Sequence, residues 1–478
     1  MTSSIRRWIA SLCMVLVASP AAVRAAEPVA LDAAAQERLR AALASLVVPG
    51  PSPGFALAVV EHGRTVFTFA GGDANLATGA PITPETAFHI GSITKLFTAV
   101  AIMQQVAAGT IALDAPIGTY LPGLSHGDEV TVRQLLMQRS GIPNYLDDAL
   151  AAHRVVRPTT PQEIVRSMLA QPLEFRPGSA FEYSNTNFVL LGLILERVTG
   201  VPYARYLREH VFVPAGMTRT SVGAPPDGLP LAIGYTTMQP GGTTADPGDP
   251  SWYYACGDGI STVGDLARFD VALMNGTLLP PAFFAQMASG ALPMGDGSGG
   301  SYGFGIMTIR LGDRLVVGHH GGMPGYEGDD LMIPADGFAI VTLSNAFDFT
   351  TGRAEQPVWR TAYPQQYAAA VAATHAVPDA YPALTMRFTA FVRGLLEGKQ
   401  VDSHLTLQMR AVLAPNTIRE IDDRLLPEGR FQGLEFRGME RVSGGYRVFH
   451  YLAHFAQGVL PMTFTLDADG ALAGFFLQ

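Results

Sequence analysis

Strand-like and helix-like spacing follow one another along this chain in an order that leaves few folds open. Two apolar runs, residues 55–60 and 65–70, flank His62-Gly63-Arg64 and read as two strands joined by a tight turn at the edge of a sheet. From Ser92 to Phe269 the apolar residues recur mainly at helical intervals, interrupted by Gly- and Pro-rich loops, of which residues 221–250 form the longest turn-rich stretch. Strand patterns return at residues 303–310, 314–318, 331–333 and 337–343, divided by Gly, Asp and Pro. One sheet must then draw its strands from both ends of the domain, with helices inserted between them, which is an α+β arrangement.

Beyond Pro364 the pattern changes again. A linker over residues 376–382 leads to Leu384, Phe388, Phe391, Val392 and Leu395 at helical spacing, and a second helix is expected over residues 417–425. Strands are expected at residues 445–455, 459–466 and 471–477, the last pair turned by Asp467-Ala468-Asp469-Gly470. The chain therefore divides into a main domain over residues 26–375 and a small α+β domain over residues 383–478.

The start of the chain sets the compartment. Arg6 and Arg7 precede an apolar run over residues 8–18, and Val23-Arg24-Ala25 supplies small residues, the order of a signal peptide over residues 1–25 cleaved near Ala25. The run is shorter than the roughly 20 residues a membrane helix needs, so the mature protein is expected to be periplasmic or secreted with no stable membrane span. Of the two cysteines, Cys13 lies in this leader, and Cys256 alone cannot form an intramolecular disulfide. A formal net charge of -9 excludes nucleic acid as an expected partner, since phosphate binding needs a basic face.

The candidate chemistry begins at Ser92. Ile93, Leu96, Phe97, Val100 and Met103 recur at helical intervals and Gly109 stops the pattern, so Ser92 opens a helix and Lys95 lies one turn along the same face. A serine is a weak nucleophile until a neighbouring base takes its proton. The alternative is that Ser92 caps the helix and Lys95 is solvated. Lys95 and Lys399 are the only lysines in the chain, and the protein otherwise uses arginine, which cannot release its proton near neutral pH.

A second element, Tyr183-Ser184-Asn185, precedes an apolar helix over residues 188–198. A phenol beside a cation can relay protons, and Asn185 offers both a donor and an acceptor to a substrate amide; alternatively Asn185 caps the helix. The third element, Gly318-His319-His320-Gly321-Gly322, follows a strand, and its glycines let a substrate backbone approach main-chain N–H groups. Adjacent histidines on a strand point to opposite faces, which argues against a shared metal.

Taken together the three elements resemble the serine β-lactamase-related family, which includes class C β-lactamases, D-Ala-D-Ala carboxypeptidases, D-aminopeptidases and esterases of the same fold. The first motif is Phe88-His89-Ile90-Gly91-Ser92-Ile93-Thr94-Lys95, the second Tyr183-Ser184-Asn185, and the third, in its His-x-Gly form, His319-His320-Gly321. Leu113-Asp114-Ala115-Pro116-Ile117, Ser140-Gly141-Ile142-Pro143, Ser261-Thr262 with Asp265-Leu266, and Gly322-Met323-Pro324-Gly325-Tyr326 also look like the family. The resemblance covers roughly residues 31–345. The tail from about Leu384 loosely resembles cone-shaped domains of the nuclear transport factor 2 type.

The resemblance implies a β-lactamase/transpeptidase-like fold, an antiparallel sheet flanked by helices plus a helical subdomain. It assigns attack to Ser92, acid/base work to Lys95 and Tyr183, substrate binding to Asn185, His319, His320 and Gly321, and the oxyanion hole to the N–H groups of Ser92 and Gly322. It implies no cofactor and no metal. The third motif departs from the class C pattern, in which a Lys comes first and a hydroxyl residue second. His319 and His320 occupy those positions here, which favours a peptidase, amidase or esterase over an efficient β-lactamase. The expected function is an exported serine hydrolase that forms an acyl-enzyme on amide or ester bonds of small-molecule or peptide substrates with D-amino-acid character. A β-lactamase is the first alternative and a catalytically silent wall-binding or sensor protein the second. A zinc hydrolase is disfavoured, because no His-Glu-x-x-His pattern occurs.

Overall fold

The computed structural model describes residues 28–146, 149, 154–226, 228–294, 300–373, 379–399, 404–406, 409–410, 413, 429–441, 447–456 and 459–477. The expected signal peptide and the helix expected over residues 417–425 lie outside the described residues. Contacts divide the chain into two compact units at residues 373 and 374.

In the first unit, helix α1 (Ala33–Ala44) precedes the hairpin β1 (Phe55–Glu61) and β2 (Arg64–Gly71). Helices α2 (Thr94–Ala107), α3 (Asn185–Thr199) and α4 (Val263–Met274) follow, with shorter helical turns between them. The chain then returns to the sheet through β3 (Leu292–Pro293), β4 (Ser301–Tyr302), β5 (Met307–Leu311), β6 (Arg314–Met323), β7 (Tyr326–Ile333) and β8 (Phe338–Ser344). Helices α5 (Thr351–Ala362) and α6 (Pro364–Ala373) end the unit. The strand order is β2-β1-β8-β7-β6-β5-β4-β3, every pair antiparallel. The first hairpin thus sits at one edge and joins the later strands through β1 and β8. This is the α+β arrangement anticipated from the order of periodicities, and it is the β-lactamase/transpeptidase-like fold that the resemblance implied.

Both faces of the central strands are covered, which is why they read as unbroken apolar runs. On β1, Phe55, Leu57 and Val59 pack with Leu39 and Leu43 of α1 and Val358 of α5. The intervening Ala56, Ala58 and Val60 face α4 and share a core cluster with its Leu266 and Phe269. Helix α2 is buried from Thr94 to Met103, as expected for a helix with little polar surface at its start. Two strands are longer than their apolar patterns indicate. β6 runs on through the glycine-rich third motif to Met323, and β7 begins at Tyr326, because polar and glycine positions here pair backbone to backbone without needing an apolar side chain.

The second unit has a four-stranded antiparallel sheet, β9 (Phe431–Arg441), β10 (Arg447–Phe455), β11 (Val459–Leu466) and β12 (Leu472–Leu477), in sequential order. Helix α7 (Pro382–Leu396) buries Phe388, Phe391, Val392 and Leu395 against it, and the Phe388 ring stacks on Phe464 at 4.2 Å. Strand β9 escapes the alternation test because its register shifts twice, between Phe431 and Gly433 and between Phe436 and Gly438. Bulges of this kind break the period of two.

Between α4 and β7 the first unit buries an unusual contact. Asp270 and Asp330 are both fully buried and close enough to perturb each other, and none of their carboxyl oxygens has a hydrogen-bond partner among the described residues. Burial holds both above the usual carboxylate range, reinforced at Asp270 by Asp330 and at Asp330 by the charge of Asp329. The folded protein therefore binds more protons than the unfolded chain once pH exceeds about 4. Stability from this pair is complete in acid and falls as pH rises through the raised folded values. Asp270→Asn removes one titration and supplies an amide donor, so its stability relative to the parent should increase from pH 5 to pH 8. Denaturant unfolding at both pH values checks this, and a pH-independent difference would rule it out.

Candidate active site

Ser92 lies in a single 3-10 turn, Gly91–Ile93, that leads into α2. Neither this turn nor α2 has a side-chain cap, so the serine hydroxyl is not consumed at the helix end. It meets the Lys95 ammonium instead, at 2.9 Å. Lys95 is fully buried and also donates to Asn185 Oδ1 at 2.8 Å and to the Cys256 carbonyl at 2.7 Å. Its Nζ lies 5.0 Å from the Tyr183 ring centroid and 5.5 Å from that of Phe188. Burial brings the Lys95 pKa down to about 8, with the Cys256 thiol opposing the shift slightly. An ammonium at that value can shed its proton near neutral pH and serve as a base, which a solvated lysine cannot.

Asn185 is the first residue of α3. Asn144 Oδ1 accepts from its backbone N–H at 2.9 Å and from its Nδ2 at 3.2 Å, which leaves Asn185 Oδ1 aimed at Lys95. The segment before α3 hangs on Gln138, whose Oε1 accepts from Ser184 N–H at 3.1 Å and from Asn187 Nδ2 at 2.6 Å. Asn187 Oδ1 in turn accepts from Ser140 Oγ at 2.6 Å. Tyr183 is thereby held as a buried ring beside Lys95.

Strand β6 closes the other side. A Cβ on Gly321 would sit 2.0 Å from the Ile90 carbonyl, well inside any real contact, so only glycine lets the strand lie against the Ser92 turn. Gly91 has a φ of +49°, and a Cβ there would lie 2.7 Å from the Gly322 amide nitrogen. The segments carrying the Ser92 and Gly322 N–H groups are thus in direct backbone contact.

The two histidines part company at this strand. His319 is buried on the same face as Gly321, its ring centroid 6.3 Å from that of Tyr183 and 5.8 Å from that of Tyr302. Its Nδ1 bonds the His320 carbonyl and its Nε2 lies 2.9 Å from Tyr302 Oη. Burial, with the Lys95 charge adding to it, depresses its pKa to about 3, so the imidazole is neutral.

His320, expected at the substrate, points to the opposite face of the sheet. There it pairs with Asp329 at 2.7 Å and Glu327 at 2.9 Å. Asp329 also accepts from the Thr351 hydroxyl of α5. Burial works against the His320 charge, but Asp329 and Glu327 together outweigh it and raise its pKa to about 10. Glu355 of α5 is buried nearby, and burial together with the Asp329 charge pushes its carboxyl well above the usual range. The structure thus brings Ser92, Lys95, Tyr183, Asn185, His319, Gly321 and Gly322 together and leaves His320 out.

Four contributors escaped the sequence reading: the Cys256 carbonyl, Asn144, Gln138 and Tyr302. A backbone carbonyl leaves no trace in residue type. Asn144 follows directly on Ser140-Gly141-Ile142-Pro143, and that adjacency was the one available signal.

Comparison with known proteins gives consistent neighbours. The family model described as Beta-lactamase matches residues 39–363. A putative penicillin-binding protein, PbpX of Bacillus subtilis, is 30% identical over 272 residues, covering 56% of this chain and 64% of its own length. A D-aminopeptidase of Gluconobacter oxydans is 27% identical over 311 residues, covering 64% of this chain and 58% of its own length. The chain thus spans less than two thirds of the length of these relatives. Among solved structures, a D-amino acid amidase from Ochrobactrum anthropi SV3 complexed with L-phenylalanine aligns with a TM-score of 0.59 and 29% identity. That alignment covers 69% of this chain and 99% of the amidase.

Two outcomes follow from the geometry. A fluorophosphonate should label Ser92 at a rate that climbs as pH rises through about 8, where Lys95 becomes neutral. Ser92→Ala should abolish labelling and Lys95→Arg nearly so, as intact mass would show; labelling retained in both folded variants rejects the assignment. His320→Thr strips a buried pair of its cation, which typically costs about 3–5 kcal/mol. It should lower the melting temperature by several degrees without improving the binding of carboxylate substrates.

Proposed function

The chain belongs to the β-lactamase family, and from that premise we propose that it is an exported serine hydrolase that opens amide bonds through an acyl-enzyme. The observation that carries the reading is the buried Lys95 ammonium 2.9 Å from Ser92 Oγ, with its pKa brought down to about 8 by burial. In its neutral form Lys95 takes the Ser92 proton as the serine oxygen bonds to the carbonyl carbon. The N–H groups of Ser92 and Gly322 receive the oxyanion, and preorganised donors of this kind are worth roughly 3–4 kcal/mol each. The C–N bond then breaks as the departing nitrogen takes a proton through the Tyr183 hydroxyl, and water repeats the sequence to release the acid and restore Ser92.

The amide preference and the D-amino-acid character rest on the D-aminopeptidase and D-amino acid amidase likenesses together with the neutral His319. A neutral imidazole offers no charge to a substrate carboxylate, which penicillins and carboxypeptidase substrates carry. Esters fit the same chemistry, since they need less help from the leaving-group acid. The reading includes the signal peptide over residues 1–25, a hydrolase domain over residues 26–375 and a separate small α+β domain over residues 383–478. Among the described residues no helix is long and apolar enough to cross a membrane.

The test is a substrate comparison. D-amino acid amides and short-chain aryl esters should show kcat/KM at least roughly tenfold above benzylpenicillin, the factor expected when one charge-assisted contact is missing. Penicillin turned over faster than every amide and ester would overturn the amide reading in favour of a β-lactamase.

A further inference from the structure

Tyr302 is the fully buried end of β4. Its ring stands edge-on to two site residues at once, 6.3 Å and 85° from Tyr183 and 5.8 Å and 89° from His319. The hydroxyl lies 2.9 Å from His319 Nε2. The hydrogen-bond inventory of the imidazole then decides its state. A neutral ring has one donor and one acceptor nitrogen. Nδ1 faces the His320 carbonyl, which can only accept, so Nδ1 carries the proton. Nε2 is left as the acceptor, and Tyr302 O–H donates to it. Both nitrogens are then occupied, and His319 has nothing left to offer a substrate.

We propose that Tyr302 is a positioning residue that sets specificity. Its hydroxyl occupies His319 Nε2, so the third motif meets the substrate as a closed, uncharged unit and the site takes acyl donors whose leaving side bears no carboxylate. This deepens the hydrolase reading above and rests on it. Burial and the nearby Lys95 charge act in the same direction by disfavouring the imidazolium. Removing the hydroxyl leaves Nε2 as an empty acceptor in the site, open to a substrate N–H, while burial and the Lys95 charge still keep the ring neutral.

The experiment uses the full-length protein and matched substrates that share one acyl group and end in either a carboxylate or a carboxamide. Tyr302→Phe keeps the ring and removes the hydroxyl. It should lower the acid-to-amide ratio of kcat/KM by roughly tenfold, the worth of one hydrogen bond, with the gain for the amide carried by KM and the same at pH 6 and pH 8. A ratio equal to the parent's at both pH values overturns the proposal. A second readout needs neither turnover nor a folded Tyr302 variant. In 15N spectra of the histidine-labelled parent, with His319 assigned by the signal lost in His319→Gln, Nδ1 should be protonated and Nε2 bare without titrating between pH 5 and 8. A parental His319 that is protonated at Nε2, or that titrates in this range, overturns the proposal. Absence of all turnover with the expected spectra would sink the hydrolase reading and leave the closed imidazole standing.

Discussion

The buried ammonium of Lys95 is the contact on which the rest of the site depends. A full positive charge without water must be surrounded by acceptors, and its three acceptors come from different parts of the chain: Ser92 ahead of α2, Asn185 at the start of α3, and the Cys256 carbonyl just before residues 259–261. Those three donations fix the spacing between the two long buried helices and the turn that carries Ser92. Satisfying the ammonium and building the surroundings of the Ser92 hydroxyl are the same structural task. Burial does the chemical tuning as well, since the loss of water that demands the acceptors also lowers the pKa to about 8.

Strand β6 divides two electrostatic regimes by the alternation of a single strand. On the face toward Ser92 it carries a neutral imidazole and a glycine, and on the far face it carries a cationic imidazole clamped by two carboxylates. Neighbouring histidines of identical intrinsic basicity are driven to opposite protonation states. The cause lies in their partners: His319 faces a hydroxyl, a carbonyl and the Lys95 charge, whereas His320 faces Asp329 and Glu327. The cation on the far face ties β6 to β7, and Asp329 extends the tie to α5 through Thr351. The strand that presents the Gly322 amide is thereby held from behind.

Much of this was legible in the residues. The order of strand and helix periods placed the first hairpin and the late strands in one sheet, and the spacing of Ser92 and Lys95 put both on one helix face. The Tyr183 and Asn185 pair and the glycines of the third motif were also visible, because each is a constraint local to a few residues. Strand β9 was not, since its two bulges erase the alternation that marks a strand. Tyr302 and Gln138 were not, since their roles come from partners distant in sequence and neither is an unusual residue in itself. His320 was misplaced at the substrate by its position in the motif, although the alternation of the strand already implied opposite faces for the two histidines.

The sequence by itself determined the fold class and the placing of Ser92 and Lys95 side by side, because periodicity and helix geometry act over short stretches and a rare lysine stands out among arginines. Tertiary structure alone decided the protonation states of the lysine and the histidines, the bonding of His319 to Tyr302, and the Asp270 and Asp330 contact. Each of these depends on which groups meet after the chain has folded and on how completely water has been removed from between them.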